Sequence, residues 1–124
     1  MREVFVSSVE DFVAKFEEHK REGPLLALFV GSVDPSTGEN WCGDCRNAHP
    51  FIHNAYASGG EKTIIISEVG VRDVWKNPEN SFRKHQKTRL RCVPTLIRYQ
   101  NGNEVIRLEE GQLTRQEMVD EVFS

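Results

Sequence analysis

The chain has 124 residues, 38% hydrophobic and 28% charged, with 16 basic and 19 acidic side chains and a net charge of −3. This length suits one domain, residues 1–124, with apolar content for a packed core, and it argues against a multidomain enzyme. Charges that nearly cancel exclude a partner recruited by net charge, so no nucleic acid is expected.

Glu3, Glu10 and Asp11 interrupt the stretch where a secretory apolar region would lie, and no apolar run approaches membrane-spanning length. A cytoplasmic protein with no membrane contact is expected. Three cysteines are few and odd in number for a chain that can build its own core. Metal or redox chemistry is therefore expected in place of a disulfide scaffold.

In chain order, a short strand is predicted near Val4–Val6. Ser7 or Ser8 followed three residues on by Glu10 or Asp11 reads as a capping box. It opens a helix with Val9, Phe12, Val13 and Phe16 on one face, ending before Gly23-Pro24. Leu25–Val30 (LLALFV) is continuously apolar and bounded by turn residues, the pattern of a central strand buried on both faces. Gly31–Asn40 reads as a loop. A helix is predicted from Cys42 to about Tyr56, bending at Pro50. Lys62–Ser67 is a β-branched second buried strand, and the polar stretch Val69–Arg91 holds one helix near Glu79–Gln86. Thr95–Tyr99 and Glu104–Leu108 flank a Gln100-Asn101-Gly102-Asn103 hairpin signal. Thr114 with Glu117 reads as a capping box for a last helix with Met118, Val119 and Val122 on its apolar face. The order βαβαβα–ββα implies an α/β fold, a largely parallel sheet with helices on both faces and an antiparallel hairpin at one side.

The strongest local signal is Trp41-Cys42-Gly43-Asp44-Cys45, placed after a strand and loop at the start of a helix. Two thiols three residues apart on a first helical turn can close a disulfide, and the helix N-terminus favours a thiolate on the first. Cys42 is thus the expected nucleophile and Cys45 the resolving, more buried sulfur. Asp44 opposes the thiolate and so biases the pair toward donating electrons; it also simply suits a helix N-terminus.

With these residues the chain resembles the thioredoxin-fold proteins. Pro50 stands eight residues after Cys42, where those proteins kink the active-site helix, and Val93-Pro94-Thr95 opens a strand as their cis-proline loop does. Within them it is most similar to small cytosolic thioredoxin-related proteins whose site reads WCPDC, through FVGSVDPSTGENWCGDC, VWKNPENSFRKHQKT and CVPTLIRY. The resemblance implies a thioredoxin fold with a central mixed sheet of about five strands flanked by helices. It implies a cytosolic protein-disulfide reductase without bound cofactor. Its electrons would come from NADPH through a partner thioredoxin reductase, and its substrates would be disulfide-containing small molecules or proteins. Peroxide removal, a peroxidase activity and redox signalling belong to the same implication. Cys42 and Cys45 carry over as the redox pair and Pro94 as the cis-proline, which would leave the Val93 backbone free to pair with an extended substrate. Two departures stand out: Gly43 replaces the family's proline, and Leu28 occupies the strand position where ordinary thioredoxins bury an aspartate, leaving Asp44 or water to move the proton of Cys45.

Other residues carry competing readings. Trp41 is expected to shield Cys42, and Trp75 to be structural. Cys92 is either an extra redox thiol or, the favoured reading, a small apolar filler. His49, four residues after Cys45, could complete a zinc site with the three cysteines, though no second metal-binding spacing supports it. His19, His53 and His85 read as surface residues. Arg83, Lys84, Lys87, Arg89 and Arg91 form an acid-free run read as a solvated face with room for partner docking. The Gly31–Asn40 loop, with Gly38 near its tip, is expected to restrict which disulfides approach. A cysteine-ligated metal protein and a non-catalytic thioredoxin-fold interaction module are the alternative functions.

Overall fold

A computed structural model describes residues 1–124. The elements are β1 (Arg2–Val6), α1 (Val9–His19), β2 (Leu25–Val30), β3 (Val33–Asp34), β4 (Glu39–Asn40), α2 (Gly43–Gly59), β5 (Thr63–Glu68), α3 (Arg72–Lys76), α4 (Ser81–Lys84), β6 (Thr95–Gln100), β7 (Asn103–Glu109), a 3-10 turn (Glu110–Thr114) and α5 (Gln116–Phe123). Five strands form one mixed sheet in the order β1-β5-β2-β6-β7. β1, β5 and β2 run parallel, β6 is antiparallel to β2, and β7 is antiparallel to β6.

The continuous apolar run of β2 is explained by what lies on either side of it. Leu25, Ala27 and Phe29 point into a core shared with Phe12 and Phe16 of α1, Trp75, Phe82, Ile97 and Tyr99. Leu26 and Leu28 point the other way, into a core with Ala48, Ile52 and Ala55 of α2 and Val119, Val122 and Phe123 of α5. A central strand buried on both faces has no polar side to alternate with. Its carboxyl end is consequently a rigid platform for the chain that follows.

Ser8 caps α1 as expected, its hydroxyl accepting from the Asp11 amide at 3.1 Å. Four expectations need correction. Gly31–Asn40 is not a plain loop: β3 and β4 pair antiparallel within it. The 69–91 stretch holds two short helices instead of one near Glu79–Gln86, because Asn77-Pro78 separates α3 from α4. Thr114 does not cap α5; its hydroxyl donates to the Gly111 carbonyl, and the capping box is formed upstream by Glu109 and Gln112. His19 is buried, with Glu22 Oε1 3.0 Å from its Nδ1, and that contact holds the Glu22 carboxyl below its usual range. α2 continues through Pro50 to Gly59.

Candidate active site

The site is assembled where β2 ends and α2 begins. Asn40 splices the two: its side-chain amide donates to the Gly31 carbonyl at 2.6 Å, and its Oδ1 accepts from the Cys42 amide at 2.8 Å. Its own carbonyl accepts from Arg46 of α2. Sequence reasoning missed Asn40, although an asparagine two residues before a helix start is the signature of an Asx turn.

Trp41 is fixed by its indole Nε1, which donates to the Gly70 carbonyl at 2.9 Å. The same carbonyl accepts from the Ser32 amide at 3.0 Å, and Ser32 Oγ accepts from the Gly70 amide at 3.0 Å. A Cβ on Gly31 would fall 2.8 Å from the indole ring. We expect Gly31→Ala to displace Trp41 and lower stability by about 1–3 kcal/mol, as overpacking does. Thermal unfolding and tryptophan emission check this; an unchanged melting temperature and spectrum would refute it.

Cys42 is the N-cap of α2, and the Cys45 backbone N–H points at its Sγ at 3.1 Å. Cys42 and Cys45 are joined as a disulfide with Cα atoms 5.2 Å apart. As whole residues both are only 5% exposed. Both sit on the first turn of one helix, against the sheet. When the pair is reduced, the amide and the positive end of the helix dipole would stabilise a thiolate on Cys42.

The two cysteines line different grooves. Cys42 lines one of about 340 Å³ with Trp41, Gly43, Asp44, Trp75, Cys92 and Val93, where Arg72, Lys76 and Arg91 outnumber Asp44 and Glu110. The Val93-Pro94 bond is cis, the Val93 carbonyl oxygen lies 3.7 Å from Cys42 Sγ, and the Val93 amide has no hydrogen-bond partner in the chain. Trp75 is buried, in keeping with its structural reading, and it also forms a wall of this groove. Arg83 stacks 3.7 Å from the centroid of the Trp75 ring and donates to its carbonyl at 2.8 Å.

The basic run is largely engaged with other groups. Besides Arg83, Lys84 pairs with Glu79, Lys87 lies over Phe16, and Arg91 pairs with Glu109. Cys92 is half-buried with Sγ 3.7 Å from Thr95 Oγ1, and burial pushes its thiol pKa upward. A raised pKa fits the filler reading, since it leaves little thiolate at neutral pH.

Cys45 lines the second groove, of about 420 Å³, between α2 and the β1-β5-β2 part of the sheet. Phe5, Leu28, Val30, Ile52 and Ile66 give it an apolar lining, and Glu3, Asn40, Arg46, His49, His53 and Tyr56 bring polar groups. The His49 and His53 rings stack with centroids 6.1 Å apart, and Tyr56 donates to Glu3 at 2.7 Å. Asp44 lines the Cys42 groove and not this one. No group of three or more His, Cys, Asp or Glu side chains is placed to hold a metal ion: His49 shares the Cys45 groove and Cys92 the Cys42 groove. No helix is long and apolar enough to cross a membrane.

A five-stranded mixed sheet flanked by helices, with a Cys-x-x-Cys disulfide capping a helix beside a cis-proline, defines a thioredoxin-type thiol–disulfide oxidoreductase. Solved thioredoxins share the fold: one from Nicotiana alata superposes with a TM-score of 0.67 at 16% identity, covering 97% of this chain and 88% of that one. The thioredoxin of Fasciola hepatica gives a TM-score of 0.63 at 20% identity over all of both chains. Within that class the chain belongs to the thioredoxin domain-containing protein 17-like family, whose thioredoxin domain matches residues 5–124. Similar relatives are the rice (Oryza sativa subsp. japonica) thioredoxin-like protein Clot, 35% identical over 95% of this chain and 93% of the relative, and human thioredoxin domain-containing protein 17, 33% identical over 98% and 94%.

Proposed function

We propose that this chain, acting as a single domain, is a cytoplasmic protein-disulfide reductase with Cys42 as nucleophile and Cys45 as resolving thiol. The observation that carries this reading is the Cys45 amide aimed at Cys42 Sγ from the first turn of α2. In the reduced protein the Cys42 thiolate attacks one sulfur of a substrate disulfide. That bond breaks, one half leaves as a thiolate, and the other half stays on Cys42. The Cys45 thiolate then attacks Cys42 Sγ and releases the second half, leaving the Cys42–Cys45 disulfide. Two electrons from NADPH, delivered by thioredoxin reductase, restore the dithiol; no bound cofactor is needed. Trp41 and Gly43 shape the mouth, Asp44 raises the cost of the thiolate and favours electron donation, and cis-Pro94 presents the Val93 backbone to an extended substrate strand. The substrates are disulfide-containing small molecules or proteins, through which the chain would contribute to peroxide removal and redox signalling.

The test is NADPH consumption by the purified protein with thioredoxin reductase and either cystine or insulin. Turnover dependent on this protein is expected. Its absence with both substrates would remove the reductase reading and leave a thioredoxin-fold interaction module.

A further inference from the structure

The resolving step requires Cys45 to lose a proton, and Cys45 is 5% exposed. The groove it lines limits which groups can take that proton. From β2 and β5 come only Leu28, Val30 and Ile66, and from β4 only the neutral Asn40. Glu3 of β1 accepts the Tyr56 hydroxyl, whose pKa burial and that carboxylate push upward. Arg46 is permanently charged and donates to the Asn40 carbonyl. Only His49 and His53 remain, and an imidazole is the side chain that exchanges protons readily near neutral pH.

His49 follows Cys45 by four residues on α2. One helical turn on, it shares that face, and both residues line the same groove. His53 stacks its ring on that of His49 and comes a further turn along α2 from Cys45. Resting on the reductase reading above, we propose that His49 is the acid–base group for Cys45, taking the Sγ proton directly or through one water in the resolving step.

Cys45 Sγ–H gives its proton to the His49 imidazole, and the resulting thiolate forms a bond to Cys42 Sγ. The bond between Cys42 and the substrate sulfur breaks, and its electron pair leaves with that sulfur, which takes a proton from water. The imidazolium returns its proton to solvent through the open mouth of the Cys45 groove, where His49 is exposed. The two cysteines lose two electrons and the substrate disulfide gains them.

The reduced protein, carrying Cys92→Ser so that the third thiol stays silent, is mixed with 5,5′-dithiobis(2-nitrobenzoate) in a stopped-flow instrument. The first equivalent of released thiolate reports attack by Cys42, and the second reports resolution by Cys45. His49→Gln is expected to leave the first phase unchanged and slow the second about ten-fold or more at neutral pH, in the lower range for loss of a general base. The pH profile of the second phase should change with it, while that of the first phase does not. Added imidazole should restore part of the rate in His49→Ala, and His53→Gln should stay near the parent. A second phase unchanged in rate and pH profile in His49→Gln overturns the assignment. A first phase that is missing, or that survives Cys42→Ser, instead overturns the reductase reading and the assignment with it. His49 is exposed, so its substitution leaves the core intact, and melting temperatures verify this.

Discussion

Cys45→Ser is expected to abolish turnover, by about 10³-fold or more, while leaving the protein able to attack one disulfide. A serine hydroxyl cannot break a mixed disulfide, so the substrate half would remain on Cys42. Intact-protein mass spectrometry should find that adduct, removable by dithiothreitol. Cys42→Ser should show neither turnover nor adduct. The contrast is informative because the two cysteines are equally buried as residues, so residue exposure does not assign their roles. What separates them is the amide directed at Cys42 and the opening of Cys42 onto the groove containing Val93. An adduct that accumulates on Cys45 in the Cys42→Ser variant would reverse the assignment.

The largest stability effect is expected at Phe29. Its ring is fully buried, 5.1 Å from the Phe12 ring and 6.1 Å from the Phe82 ring by centroids. Truncation to alanine removes transfer energy and leaves a cavity that three elements cannot collapse into, a loss of about 3–5 kcal/mol. For a chain of this size that corresponds to a fall in melting temperature on the order of 10–20 °C. Phe29 also pairs in register with Thr95, next to Pro94, so its loss should loosen the groove as well as the core. Phe5, 68% exposed on β1, is the control: Phe5→Ala should change stability by less than about 0.5 kcal/mol. A small shift for Phe29→Ala in calorimetry would mean that the two faces of β2 do not carry the fold as described.

The central features were readable in the sequence because they depend on local pattern. A six-residue apolar run, a Cys-x-x-Cys at a helix start and an Asn-Gly turn each report their own neighbourhood. The misplaced elements are those whose cues are weak or shared. α3 has only five residues and no side-chain cap, so nothing in Arg72–Lys76 announces a helix. Thr114 offers a capping pattern, but Glu109 and Gln112 form the box first. The Cys45 groove lay beyond local reading for another reason. Its histidines come from α2, but Glu3, Phe5 and Ile66 arrive from β1 and β5, and only the parallel pairing of those strands brings them together. Trp75 was legible as structural, yet its place in the groove that Cys42 lines follows from the tertiary placement of α3.

The β3–β4 hairpin is held together largely by bonds within itself. Asp34 accepts from the Ser36 amide at 2.8 Å and the Ser36 hydroxyl at 2.7 Å, and its carbonyl accepts from the Gly38 amide at 2.8 Å. Only the root, through Asn40, reaches the residues that carry the sulfurs, and the tip lines neither groove. The tip can therefore gain, lose or exchange residues with the reacting atoms undisturbed, as self-contained surface turns generally tolerate. The hairpin is thus a modular attachment: its tip could be exchanged for another without remaking the sulfur site that its root adjoins.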